Sequence, residues 1–171
     1  MNKVFLINEN TLKNETILND NVGAEYIMPA IETSQDIYLQ QLIGTMLLDK
    51  LYNLIDTNTI NNDENAHYKT LIDDYITNYL KYKVLSEITI PLAYKYRNAG
   101  IVQNAGEHYN NSQMKDAVLV QNHYELRANF YAQRLTQYLN ANADLFPEYL
   151  NKRDNTDMMA NRDSYQTNIL L

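Results

Sequence analysis

Between Ala66 and Arg97 lies the pattern that most restricts how this chain can fold. Ile72, Ile76, Leu80, Val84, Ile88 and Leu92 recur every four residues, and Tyr75, Tyr79, Tyr82 and Leu85 form a second row. A helix brings i and i+4 onto one face, so two adjacent rows make a wide apolar stripe that needs neighbours. The spacing predicts a long helix over 66–97 at the centre of a bundle. Pro91 falls inside it and is expected to kink it or end its regular part.

The remaining periodicity supplies three partners, near 29–43, 45–56 and 113–140. Ile27, Ile31, Tyr38 and Leu42 share one side of the first, with Pro29 read as a first-turn residue. Leu47, Leu48, Leu51, Leu54 and Ile55 mark the second. Gly44 and Thr45 stand between them. They form either a corner, with Gly44 as the left-handed residue that ends one helix and Thr45 as N-cap of the next, or a poor spot in one continuous helix. Capping preferences favour the corner, although the phase of Ile43, Leu47, Leu51 and Leu54 runs through. In the last segment Met114, Ala117, Gln121, Tyr124, Ala128, Tyr131, Leu135 and Tyr138 alternate steps of three and four. That seam is short and includes Gln, so it reads as a helix packed in its own bundle rather than an intermolecular coiled coil. Residues 3–21 read as extended or turn-rich, 57–65 and 98–112 as loops, and Phe146-Pro147 as the close of the helical part.

At 171 residues, 45% hydrophobic and 20% charged, the composition fits a single soluble domain. We expect an all-α helical bundle over 1–150 with an extended N-terminal segment and a flexible tail over 151–171. Fifteen Tyr against no Trp point to cores whose edges meet water or another subunit. A net charge of −7 argues against general attraction to DNA or anionic membrane. The chain has no Cys, which excludes disulfides, thiolate nucleophiles and Cys-ligated metals. The four-residue apolar run in MNKVFLINENT is too short for a signal core, and no run approaches a membrane span.

Chemistry-bearing motifs are not found. His67, His108 and His123 share no metal-binding spacing, and Asp63-Glu64 and Asp73-Asp74 lack the alternation of a calcium loop. Glycines are too few for a phosphate cradle. The basic clusters YLKYK (79–83) and YKYR (94–97) interleave cations with aromatics, as single-strand binders do. Their tyrosines, however, belong to the core rows, and the cations are dispersed around the axis. The expectation is a non-enzyme with no cofactor and no metal.

The stretch from Tyr26 to Leu51, YIMPAIETSQDIYLQQLIGTMLLDKL, resembles the start of the head-to-tail connector (adaptor or ring) proteins of tailed bacteriophages. Within that group it looks like the kind found in Bacteroides and crAss-like phages. The resemblance continues through the long central helix, Gly100-Ile101-Val102 and Leu145-Phe146-Pro147-Glu148-Tyr149, in the same order over about 25–150. It implies a structural virion protein, assembled in the host cytoplasm and located at the neck. Such proteins form a homo-oligomeric ring, commonly of about twelve copies, beneath the portal protein and against neighbouring neck and tail proteins. DNA passes through the channel without specific binding, and no membrane is involved. The alternative is a helical protein-binding adaptor or regulator outside the virion.

The tail over 151–171 is too polar in its middle to fold alone, yet it carries apolar residues at intervals. Met158, Met159, Tyr165, Ile169, Leu170 and Leu171 are candidate inter-subunit anchors, with the tail expected to dock onto a neighbouring chain.

Overall fold

A computed structural model describes residues 4–18, 20–98, 100–103, 114–150 and 157–162. Six helices order the described residues. Helix α1 is Glu9–Glu15. Helix α2 covers residues 24–43, with a wide π-helical stretch at Ser34–Leu39 between Ala24–Thr33 and Gln40–Ile43. Helix α3 is Thr45–Asp56, and α4 covers residues 66–93 with a second π-helical stretch at Leu71–Ile76. After the strands β1 (Tyr94–Arg97) and β2 (Gly100–Gln103) come α5 (Met114–Ala141) and the single turn α6 (Pro147–Leu150). The fold is an all-α bundle with one short hairpin.

Helix α4 is the axis. Tyr79, Leu80, Lys83, Val84, Leu85, Ser86 and Ile88 are all buried, so nearly every side of this helix is covered. Helices α2 and α5 pack along it. Two rings from α4 stack on two from α5: Tyr75 on Tyr138 at 3.9 Å between centroids, and Tyr82 on Tyr131 at 5.2 Å. The small buried side chains of Ala128 and Ala132, beside these pairs, leave room for the two backbones to approach. Phe146 and Tyr149 plug the base, where Tyr68 meets Phe146 edge to face at 5.6 Å.

Several boundaries differ from those the residue pattern predicts. The opening segment is not extended throughout, since Glu9–Glu15 is helical. Asn8 caps it by accepting the Thr11 N–H at 2.7 Å, with Glu9 in the first turn and Lys13 in the last. Helix α2 starts at Ala24, so Pro29 lies inside it rather than in its first turn. The long helix stops at Ala93, two residues after Pro91, where Tyr94 turns extended at φ −135° and ψ 144°. Residues 94–97 are therefore strand. They pair antiparallel with part of the expected 98–112 loop, Tyr94 opposite Gln103 and Arg97 opposite Gly100. Proline removes the N–H that would bond back to Glu87, and Tyr, Ile and Val then favour extended backbone. Pro147 begins one further helical turn instead of closing the helical part, at a position that suits proline.

The π-helical stretch of α2 has a packing consequence. It places Gln35 fully in the interior, where its Oε1 accepts the Leu6 N–H at 2.6 Å. Its Nε2 donates to Val4 O at 3.3 Å and to Tyr52 Oη at 3.1 Å. One buried amide thus pins the N-terminal segment to α2 and α3.

The corner lies at Gly44, with φ 78° and ψ 158°, a region open essentially to glycine alone. Gly44, not Thr45, is the N-cap position of α3; Thr45 is the first helical residue. A glycine cap has no side chain to satisfy the orphan donors at the start of α3, and residues 157–162 supply the missing partners. Thr45 N–H donates to Met158 O at 2.9 Å, and Asn161 N–H donates to Gln41 O in the last turn of α2 at 2.8 Å. Thr45 Oγ1 accepts from Met158 N–H at 3.0 Å and from Gln40 Nε2 at 2.8 Å. The tail is therefore not free along its whole length, because 157–162 straps its own chain. A Cβ on Gly44 would sit 2.8 Å from Ala160 N and 3.3 Å from Met158 O. Gly44→Ala should lower stability by roughly 1–3 kcal/mol in urea denaturation, through both strained φ and displacement of the strap. An unchanged midpoint would contradict this account of the corner.

Candidate interaction surface

Helix α5 has two apolar faces, and only one is used by the bundle. The inner face places Ala117, Ala128, Ala132, Leu135 and Leu139 against α4. Of the three-and-four seam that begins at Met114, Met114 itself is 46% exposed and Gln121 half-buried, so the inner packing fades toward the start of the helix. On the opposite face stand Leu119, Leu126 and Phe130, at 58%, 59% and 57% exposure. Spacings of seven and four residues align them along one stripe. Arg127 and Arg134 flank it, each over a tyrosine ring, Tyr82 and Tyr75, at 5.6 Å. Beside the stripe, Tyr82, His123, Arg127 and Phe130 line a cleft of about 410 Å³.

A second depression lies where α4, α5 and the α1–α2 connection meet. It is an apolar groove of about 500 Å³, lined among others by Ile17, Leu18, Leu85, Ile88, Val120 and Tyr124. Ile17 at its lip is 79% exposed and Val120 is 47% exposed. Both depressions border α5.

An ion cluster centred on the buried Lys83 ties α5 to α4. Lys83 Nζ lies 2.7 Å from Glu125 Oε2 on α5 and 3.3 Å from Glu87 Oε1 on its own helix. It also sits 3.6 Å above the Tyr38 ring of α2, and Ser86 Oγ donates to Glu125 Oε2 at 3.0 Å. A lysine held among two carboxylates and a π face leaves no donor exposed to an apolar wall. Lys81 pairs with Glu15 of α1 at 3.0 Å. The two lysines of YLKYK are thus engaged by carboxylates, and Tyr79 is core.

Of the residues singled out by their sequence pattern, Gly44 and Thr45 meet at the strapped corner. Met158 takes part through its backbone within its own chain, while Met159 is 62% exposed. Tyr165, Ile169, Leu170 and Leu171 lie outside the described residues, as does His108. The outer stripe was legible as a second period in α5, Leu119-Leu126-Phe130, masked by the stronger seam. His67 packs against Tyr68 at 4.2 Å and His123 against Tyr124 at 5.5 Å. Among the described residues no group of three or more His, Cys, Asp or Glu is arranged to hold a metal ion, and no helix is long and apolar enough to cross a membrane.

Residues 39–158 match the family of unknown function DUF6712, and the chain belongs to that family. No curated protein and no solved structure matches it.

The tyrosine framework behind this surface makes the fold sensitive to high pH. Burial raises the phenols of Tyr38, Tyr138 and Tyr149. It raises Tyr68 furthest, helped by the hydrogen bond Tyr68 Oη donates to Glu148 Oε2 at 2.8 Å. A raised folded-state value stabilises fully below the ordinary phenol value of 10.0 and is lost as pH rises beyond it. The denaturation midpoint should fall as pH rises from about 10 toward 11, and less steeply in Tyr68→Phe. A midpoint independent of pH over that interval would overturn the assignment.

Proposed function

We propose that this member of the DUF6712 family is a head-to-tail connector of a tailed phage. It would form a ring beneath the portal that extends the DNA channel and joins head to tail. The observation that carries the reading is the outer stripe of α5, where Leu119, Leu126 and Phe130 stand in solvent on a helix whose other face already fills the core. Contiguous exposed apolar residues on a rigid helix, flanked by arginines, have the composition of a protein interface.

The same chain also exposes carboxylates that could meet this stripe on another copy. Asp49, Asp56, Asp63, Glu64, Asp73 and Asp74 are exposed from α3 to the start of α4, against Lys50 and Lys69 in the same region. An arginine-flanked apolar stripe meeting a carboxylate surface on the next copy is a heterologous contact, the kind that closes into rings. The net charge of −7 accords with a channel wall that does not hold DNA phosphates. The resemblance over 25–150 supports the neck as the location. A non-virion adaptor would use the same stripe on a different partner, so the test includes the portal.

Light scattering and electron microscopy of the protein with portal should show closed rings on the portal. The double variant Leu126→Glu/Phe130→Glu should keep its stability within about 0.5 kcal/mol, since both side chains are exposed, while losing assembly. A strictly two-fold dimer that ignores portal, or full assembly by the variant, would sink the reading.

A further inference from the structure

We propose that the apolar groove between α4, α5 and the α1–α2 connection receives Ile169-Leu170-Leu171 of a second copy of this chain. The inference rests on the self-assembly reading above and names a contact within it. A space of about 500 Å³ walled by Leu85, Ile88, Val120 and Tyr124 and lipped by Ile17 takes a short aliphatic segment rather than a polar one. The chain carries such a segment. After Arg162 come six polar or amphipathic residues, DSYQTN, and then three consecutive aliphatic side chains.

Reach favours a neighbour's groove over the chain's own. The strap ends beside the last turns of α5, where Asn140 Nδ2 donates to Arg162 O at 3.3 Å. Val120 and Ala117 lie 20 and 23 residues earlier on that helix, roughly 30–35 Å away at the α-helical rise. Ile169 is seven residues beyond Arg162 and Leu171 nine, so a fully stretched chain carries them roughly 24 and 31 Å. Tyr124, the groove's near wall, is 16 residues before Asn140, roughly 24 Å, so in its own copy the segment reaches the groove only with the chain drawn out straight, against a relaxed span of roughly 15–18 Å for nine residues. A neighbouring copy is under no such restriction. The strap also shortens the segment to be ordered to nine residues, and repetition around a ring multiplies a contact of modest strength.

The absence of native cysteine makes the test direct. Full-length Val120→Cys and Leu170→Cys chains, mixed in dilute solution and oxidised, can form a mixed disulfide only between copies. Val120 is 47% exposed, so the substitution leaves the core intact. The mixed dimer should form several-fold faster than between Asp49→Cys and Leu170→Cys chains, Asp49 being an exposed control on α3. The doubly substituted Val120→Cys/Leu170→Cys chain should link into dimers and larger species. A rate no greater than the control, or closure within one chain, would overturn the inference. Portal is absent from this assay, so its outcome separates from that of the connector reading. Rings on portal without the disulfide preference would reject only the groove contact, and the preference without rings would reject only the connector.

Discussion

The structure depends on the burial of α4 on nearly all sides. A helix with Leu80, Val84 and Ile88 on one flank and Tyr79 and Leu85 on the other cannot be stable alone in water, so its neighbours are arranged around it. Lys83 and Ser86, also enclosed, bring polar groups that need partners in the interior. Glu125 of α5 answers both, and Tyr38 of α2 covers the ammonium. Removing Glu125 would leave Lys83 with Glu87 as its one carboxylate, so the pair favours the orientation of α5 that brings Glu125 to α4. The outer face of α5, with Leu119, Leu126 and Phe130, is then left to solvent or to a partner.

A second constraint operates at helix ends. Gly44 permits the sharp turn between α2 and α3 but provides no cap, and residues 157–162 return from the far end of the sequence to accept and donate the missing bonds. Arg162 reinforces the return, with Nη2 donating to Tyr149 O at 2.9 Å and its guanidinium 5.4 Å above the Tyr149 ring. The strap therefore joins the corner to α6 and the end of α5. It sets the point from which residues beyond 162 depart.

Much of the fold was legible because it is written in period. The rows from Ile72 to Leu92 announce the central helix, and the Leu47–Ile55 pattern announces α3. Gly44 announces the corner because glycine in mid-helix is costly. What escapes has no periodic signature. The helix Glu9–Glu15 is short and held by the Asn8 cap and by Leu12 alone among its buried side chains. The strap is held largely by backbone atoms and by the polar side chains of Asp157 and Arg162, so the apolar side chains of 151–171 give no sign of how it is held. The outer stripe of α5 is visible as Leu119, Leu126 and Phe130, but sequence cannot say which of two apolar faces a bundle will consume. The pair of Lys83 with Glu125 and the stacking of Tyr75 on Tyr138 contribute to that choice, and both join residues far apart in the chain.

If the chain is a connector, as proposed, its function resides in what α5 touches. The most direct measurement is a cryo-EM reconstruction of the protein assembled with portal. The account predicts cyclic symmetry, with residues 119–130 of each copy buried against the carboxylate-rich surface of the next. A reconstruction in which that stripe faces solvent, or meets its own two-fold mate, would contradict it.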